Sequence, residues 1–447
     1  MNSEEPLAHS AKPEHGIPPQ TYVKHIAGVV ERAGENVSVM TQYFSGDAQV
    51  LHDVTKRAGL FHDLGKLDEA NQTVLKTGGK KHLPLNHVDA GAAYLSKGKE
   101  HEAAVFVYGH HIGLCSVPYE SGRGASFLRD DKICGEVDQK LFDYFSEHAK
   151  WCGSVEGSSD KIVKSGWSGL TRRLTFSCLV DADYGDTAVH YGGESGKKAV
   201  KRRWKERLDK LSEYVQGLQD KSDASKDRKT QRKYTYEDCR DADTNPSLFA
   251  CDSPVGTGKT TAVVAHLLQA TINKELRHIF VVLPYTNIIK QSVDVYRKAL
   301  ILPDENPEEV VAEHHHQADF SNYDMRQHAS LWTAPIIVTT AVQFFETLGA
   351  NHPAQLRKLH ELPGSAIFLD EAHAAIPTWL WPQAWRWLKD LSSNWRCHFV
   401  FASGSLPQFW QNEKITSPTV DVLHFPDHSC HPFRLIPATC SDLNLPL

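Results

Sequence analysis

The segment Ser253-Pro-Val-Gly-Thr-Gly-Lys-Thr260 leaves few folds open to this chain. It sits between an apolar run, Ser247–Cys251, and a stretch with helical spacing. Two glycines before Lys-Thr let backbone N–H groups and a helix N-terminus close around a phosphate, which requires a strand, a tight loop and a helix in that order. Further short apolar runs follow at His278–Leu283, Pro335–Thr340, Ala366–Leu369 and His398–Ala402, separated by helical stretches, and Thr419–Leu423 is strand-like. That alternation predicts a parallel sheet with crossover helices. Ligands of such sheets bind at the carboxyl ends of the strands. Ser253, Pro254, Val255, Gly256, Thr257, Gly258, Lys259, Thr260 and Thr261 are therefore the expected ATP-binding residues. Lys259 would neutralise the β and γ phosphates, and Thr260 would place its hydroxyl on the Mg²⁺ of Mg-ATP. The run Leu369-Asp370-Glu371-Ala-His373 ends a strand, so Asp370 would hold Mg²⁺ and Glu371 would orient or deprotonate the attacking water.

The chain divides near residue 240. Before it, Thr21–Arg32, Leu51–Leu60, Val88–Leu95 and Leu174–Tyr184 carry apolar residues three and four apart, as helices do. Histidines and aspartates fall within or beside these segments: His25, His62-Asp63, His87, His110-His111 and Asp183. Adjacent side chains on a helix point about 100° apart and can reach two ions that lie close together. A carboxylate has two oxygens, so Asp63 could bridge ions ~3.5–4 Å apart that activate water for attack on phosphorus. Neutral imidazoles with few carboxylates suit Mn, Fe, Co or Ni. The glycine and alanines after His87 permit close helix packing, whereas His82 and His101 read as bystanders.

Bulk charge excludes a protein that coats nucleic acid, because 49 basic against 55 acidic residues leave a net charge of −6. Any such contact needs a local groove. From about Gly192 to Asp243 the composition turns charged, with Lys197, Lys198, Lys201, Arg202, Arg203, Lys205 and Arg207 followed by Lys226, Arg228, Lys229, Arg232 and Lys233. This stretch reads either as a solvated helix with a flexible linker or as a basic wall for single-stranded DNA. The nine cysteines form no Cys-x-x-Cys pair and read as reduced thiols. With no leader and no apolar run near ~20 residues, the expected setting is cytoplasmic, with no membrane.

His25, His62-Asp63 with Gly65-Lys66, His87, His110-His111 and Val180-Asp-Ala-Asp183 resemble the HD superfamily of metal phosphohydrolases. More narrowly, the tandem histidines and the downstream ATPase segment resemble the CRISPR-associated helicase-nuclease of type I interference. The resemblance implies His25, His62, Asp63 and Asp183 around one ion, and Asp63, His87, His110 and His111 around a second. Lys66 would then face the scissile phosphate and stabilise charge growing in the transition state. Asp181 competes with Asp183 for the last ligand position. The second half is similar to superfamily 2 helicases, which tolerate a small residue such as Ser253 in place of the first glycine. Leu283-Pro-Tyr-Thr286 and Thr339-Thr340 with Gln343 resemble strand-end motifs that grip DNA, which makes Thr286, Thr340 and Gln343 candidate DNA contacts. His373 would couple nucleotide state to the neighbouring motif. Ser403-Gly404-Ser405 departs from the usual Ser-Ala-Thr at its centre.

The expectation is a multidomain chain. An all-α HD-type metal hydrolase domain occupies residues 1–240, with a charged linker from about 192, and an α/β RecA-like ATPase lobe occupies 241–447. Only 42 residues follow Ser405, too few for the second lobe of such a motor, so the expectation is a fragment, a truncated reading frame, or half of a split enzyme whose second lobe a separate chain supplies. The function implied is a metal-dependent nuclease for single-stranded DNA, coupled to an ATP-dependent translocase lobe and recruited by a guide-RNA surveillance complex. The alternatives are a nucleotide phosphohydrolase with a regulatory ATPase lobe and a non-catalytic docking module. Trp379, Trp381, Trp385 and Trp387 read as a packed helix face, and His314-His315-His316 as a solvated loop.

Overall fold

The computed structural model describes residues 4–78, 82–153, 167–193, 200–254, 256–314, 331–371, 374, 376–404 and 421–424. A short antiparallel pair, β1 (Leu7–His9) and β2 (Gln20–Thr21), opens the chain. Among the described residues eight α-helices follow: α1 (Tyr22–Thr41), α2 (Ala48–Phe61), α3 (Glu69–Thr77), α4 (His87–Lys97), α5 (His101–Ile112), α6 (Val117–Ser121), α7 (Cys134–Cys152) and α8 (Gly169–His190). Side chains at the helix starts satisfy orphan N–H groups: Thr21 accepts from Lys24 N, Asp47 from Gln49 N, Asn86 from Val88 N and Ser168 from Thr171 N.

Two more helices, α9 (Trp204–Asp220) and α10 (Lys226–Asp241), precede the sheet. Its strands are β3 (Leu248–Asp252), β4 (His278–Leu283), β5 (Val311–His314), β6 (Ile336–Thr340), β7 (Ser365–Asp370), β8 (His398–Ser403) and β9 (Asp421–His424). They run parallel in the order β5-β6-β4-β7-β8-β3-β9. Helices α11 (Lys259–Lys274) and α12 (Ile289–Leu300), with Ala341–Gly349 and Trp381–Asn394, lie among the crossovers. A helical domain is thus joined to a RecA-like parallel-sheet lobe.

Period-2 alternation divides the strand residues between two cores. Leu248, Ala250, Phe280, Val282, Ile367 and Phe399 face a core continuous with the helical domain. Phe249, Cys251, Ile279, Val281, Phe368 and Val400 face the core under α11 and α12. Both faces being covered explains why the strands read as unbroken apolar runs.

Three local readings change. The charged segment expected as a linker is structured at 204–241 and belongs to the sheet lobe. Trp204, Leu211, Val215, Tyr236 and Cys239 enter its core, Trp204 Nε1 donates to Leu276 O at 3.0 Å, and Arg207 Nη1 reaches Leu300 O at 3.0 Å. Apolar residues three and four apart, spaced among the lysines, carry this packing. The edge strand β5 was missed because its run ends in Glu313 and His314. His314 is buried, and its Nδ1 accepts from Trp332 Nε1 at 3.1 Å, so it is not solvated; His315 and His316 lie outside the described residues.

The two halves share hydrogen bonds as well as a core. Leu114 N donates to Asn351 O at 2.9 Å, Arg173 Nε to Ala350 O at 2.9 Å, and Ser177 Oγ to Leu356 O at 2.6 Å. Tyr43 packs directly on Gly364, whose φ is +70°; a Cβ there would fall 2.3 Å from the ring. Glycine is the residue that admits both the backbone conformation and the ring.

Candidate functional site

Five elements converge on one cluster that is buried except at His87, which is partly covered, and His111, which is exposed. His25 comes from the first turn of α1, and His62 and Asp63 from the end of α2. His87 opens α4, His110 and His111 close α5, and Asp183 lies on α8. Close backbone approach makes the convergence possible. A Cβ on Gly91 of α4 would fall 2.0 Å from Phe61 O, and one on Gly65 would fall 2.5 Å from His87 O. The glycine expected to permit close packing after His87 does so against the end of α2.

Asp63 is central. Its Oδ2 lies 3.2 Å from His25 Nε2 and 3.4 Å from His62 Nε2, while its Oδ1 lies 3.4 Å from His87 Nε2. Asp183 Oδ1 lies 3.4 Å from His25 Nε2 and 3.8 Å from His62 Nε2. Asp63, His87, His110 and His111 offer ligand atoms all within 4.8 Å of one another, and His25, His62 and Asp63 do the same. All seven residues expected to hold metal are brought together. Asp181 turns away: Arg357 Nη2 donates to its Oδ1 at 3.0 Å. Lys66 Nζ stands 2.7 Å from Asp63 Oδ2.

Hydrogen bonds assign the imidazole tautomers. His62 Nδ1 lies 2.8 Å from Gly59 O and His110 Nδ1 lies 2.6 Å from Val107 O. A carbonyl only accepts, so the proton sits on Nδ1 and the Nε2 lone pair points into the cluster. His110 Nε2 has no hydrogen-bond partner among the described residues, and neither Asp63 oxygen accepts a well-aligned hydrogen bond among them. Burial pushes His87 down to about 3 and lowers His110 and His111. These rings are neutral near neutrality. Burial also opposes charge on His25, but the neighbouring carboxylates of Asp183, Asp186 and Asp63 outweigh it and raise His25 to about 10, so in the metal-free chain both its nitrogens are protonated and a bound ion would replace the proton on Nε2. Burial opposes ionisation of Asp63 as well, yet the Lys66 ammonium holds its carboxyl well below the usual range. Neutral imidazoles at His87, His110 and His111, ionised carboxylates and the unpartnered buried lone pair on His110 Nε2 fit divalent cations bound by nitrogen and oxygen.

Two neighbours escaped the sequence reading. His9, on β1, meets the edge of the His25 ring at a centroid distance of 4.8 Å. Asp186 lies one turn beyond Asp183, with Oδ2 2.7 Å from His25 Nδ1. The signal for Asp186 was its i+3 spacing from Asp183, which puts both on one helix face.

The second site lies at the carboxyl ends of β3 and β7. Gly256 and Gly258 take φ of +88° and +84°, and Lys259 begins α11. The Ser253 and Thr257 hydroxyls are 2.6 Å apart, and Thr257 Oγ1 donates to Pro254 O at 2.8 Å. Ser253 in the place of a glycine thus closes the loop on itself. Lys259 Nζ lies 3.2 Å from Glu371 Oε1 and 3.5 Å from Asp370 Oδ1, and Ser403 Oγ donates to Glu371 Oε2 at 2.6 Å. Glu371 has φ of +46°, a left-handed conformation that β-carbon sterics disfavour. Burial raises Asp370.

A cavity of about 560 Å³ adjoins the loop. Thr260, Thr261 and Lys259 line one side, and Val215, Leu218, Arg232 and Tyr236 line the other. Arg232 Nε donates to Gly256 O at 2.9 Å. Lys229 and Arg232, read as possible parts of a DNA wall, therefore stand beside the phosphate loop. Thr286 follows β4, and Thr340 ends β6. Thr340 Oγ1 accepts from Gln343 N at 3.1 Å, so it caps a helix. Trp381 and Trp385 are buried, as a packed face requires, but Trp379 is 76% exposed. Val255, His373 and Ser405 lie outside the described residues. Among the described residues, no helix is long and apolar enough to cross a membrane.

Residues 238–412 match the DEAD/DEAH box helicase family. The CRISPR-associated nuclease/helicase Cas3 of Haloferax volcanii is 24% identical over 193 residues, covering 38% of this chain and 20% of that protein. The structure of T. fusca Cas3 with ADP superposes with a TM-score of 0.59 at 17% identity, covering 90% of this chain and 51% of that one. A CRISPR-associated protein superposes with a TM-score of 0.55 at 14% identity, covering 90% and 52%. The chain spans about half the length of these solved relatives and a fifth of the curated one. The chain is thus similar to Cas3 in part of its sequence and in fold, and its residues 238–412 match the DEAD/DEAH box helicase family.

Proposed function

We propose that the helical half is an HD-type, metal-dependent nuclease acting on single-stranded DNA, and that the sheet lobe is the first ATPase lobe of a translocase that feeds it. The observation carrying this reading is the meeting of seven histidine and aspartate side chains from five elements around Asp63. His25, His62, Asp63 and Asp183 would hold one divalent ion, and Asp63, His87, His110 and His111 the other, with Mn, Fe, Co or Ni as the candidates. Such a pair supplies a nucleophilic water at neutral pH and a clamp on the scissile phosphate. Asp63, with Oδ2 toward His25 and His62 and Oδ1 toward His87, would contribute to both ligand sets. The Nδ1 hydrogen bonds of His62 and His110 keep both rings aimed. Lys66, now on Asp63, is within reach to stabilise charge on the phosphate in the transition state.

In the sheet lobe, Lys259 would exchange Glu371 and Asp370 for the β and γ phosphates. Thr260 and Asp370 would hold Mg²⁺, and Glu371 would orient the attacking water. Thr286, Thr340 and Gln343 would contact DNA at the strand ends. The partners proposed are single-stranded DNA, a guide-RNA surveillance complex in CRISPR type I antiviral defence, and a second helicase lobe from residues outside this sequence or from another chain. The test is incubation of the chain with single-stranded DNA and Mn²⁺, Co²⁺ or Ni²⁺ without ATP. Turnover of nucleoside phosphates with DNA left intact would instead support a nucleotide phosphohydrolase.

A further inference from the structure

Asp186 belongs to none of the ligand sets above, yet its carboxylate is held beside them by two short contacts. Its Oδ2 lies 2.7 Å from His25 Nδ1 and accepts from Gln20 Nε2 at 2.8 Å. Its Oδ1 stands directly over Gly28, where a Cβ would fall 2.1 Å away. Gln20, His25 and Gly28 thus form a socket for one oxygen pair, within nine consecutive residues of β2 and α1. The Asp186 side chain is 11% exposed and His25 is fully buried.

We propose that Asp186 is a positioning residue for metal binding: by taking the Nδ1–H of His25 it directs the Nε2 lone pair of that ring to the ion shared with His62, Asp63 and Asp183. This inference rests on the metal-centre reading. A neutral imidazole has one donor and one acceptor nitrogen, so whatever holds Nδ1–H decides that Nε2 is the ligand atom. His62 and His110 have backbone carbonyls for this purpose; His25 has a carboxylate. A carboxylate also raises the basicity of the ring it holds, which strengthens the bond to the ion. The opposite edge of the ring is already aimed: His25 Nε2 lies 3.2 Å from Asp63 Oδ2, 3.4 Å from Asp183 Oδ1 and 3.3 Å from His62 Nε2. Gly28 has a role here that its helix alone does not demand, since any side chain would displace the Asp186 carboxylate.

The experiment is calorimetric titration of Co²⁺ and Mn²⁺ into the metal-free full chain, with the Co²⁺ visible absorption recorded alongside. Asp186→Ala should weaken one of the two ions by about 10- to 100-fold and leave the other near its original affinity. Asp186→Asn keeps the shape and an acceptor oxygen but not the charge, and should fall between Asp186→Ala and the parent. Loss confined to one ion, with an altered Co²⁺ spectrum and an unchanged melting temperature in chelator, is not what a merely structural residue would give. Parental affinity for both ions in a folded Asp186→Asn chain would overturn the proposal, and that variant carries the test if Asp186→Ala does not fold. If the parent chain itself binds no more Co²⁺ than His62→Ala with Asp63→Ala, the metal centre falls, and the role of Asp186 with it.

Discussion

Asp181 and Asp183 leave helix α8 on opposite sides: Asp183 Oδ1 lies 3.4 Å from His25 Nε2, while Asp181 Oδ1 holds Arg357 Nη2 at 3.0 Å. Two residues along a helix are about 200° apart, so one aspartate faces the cluster and the other the sheet lobe. Their substitutions should separate. Asp183→Ala should cut Mn²⁺ or Co²⁺ affinity at least tenfold. Asp181→Ala should leave metal affinity near parental and cost about 1–3 kcal/mol through a lost charged hydrogen bond. Metal titration and urea denaturation of both variants check this.

Arg207 is fully buried and forms a two-armed pair with Glu305, at 2.7 Å and 2.9 Å. It docks α9 on the sheet lobe. Removing one partner of a buried pair strands the other charge, so Glu305→Ala should destabilise the lobe by about 3–5 kcal/mol. Arg203 Nη1 on Asp304 is exposed, and Asp304→Ala should be nearly silent in the same denaturation assay.

His266 and His398 share a buried contact, Nε2 to Nε2 at 3.0 Å, behind the phosphate loop. Burial pushes His266 down from 6.5 to about 4 and also lowers His398. Between those values the unfolded chain binds a proton that the folded chain refuses. Stability from this pair is therefore complete above about pH 6.5 and is lost as pH falls toward 4, by about 3 kcal/mol for His266. His266→Gln should flatten the fall in urea midpoint between pH 7.5 and 5, relative to the parent.

Much of this was legible in the sequence because local rules and tertiary demands agree. The five central strands were readable from apolar runs, since burial on both faces leaves little room for polar residues. The Ser253–Thr260 loop announced its own geometry through Gly256 and Gly258. The cluster around Asp63 was visible only as residue types in order, and its closure depends on contacts with no short-range signature, such as Gly91 against Phe61 O. Asp186 was passed over because a carboxylate that orients a histidine looks like any helix-face aspartate until His25 is seen beside it. The 204–241 segment misled because lysines and arginines dominate its composition, while a sparse stripe of Trp204, Leu211, Val215 and Tyr236 decides where it packs.

The central claim is that the seven side chains around Asp63 hold ions that cut DNA. The most direct measurement is cleavage of single-stranded DNA by the metal-free chain resupplied with Mn²⁺, Co²⁺ or Ni²⁺, beside His62→Ala with Asp63→Ala and beside Lys259→Ala. The account predicts cutting that a chelator and the double substitution abolish and that Lys259→Ala leaves largely intact. Undiminished cutting by the double variant, or no metal-dependent cutting by the parent chain, would contradict it.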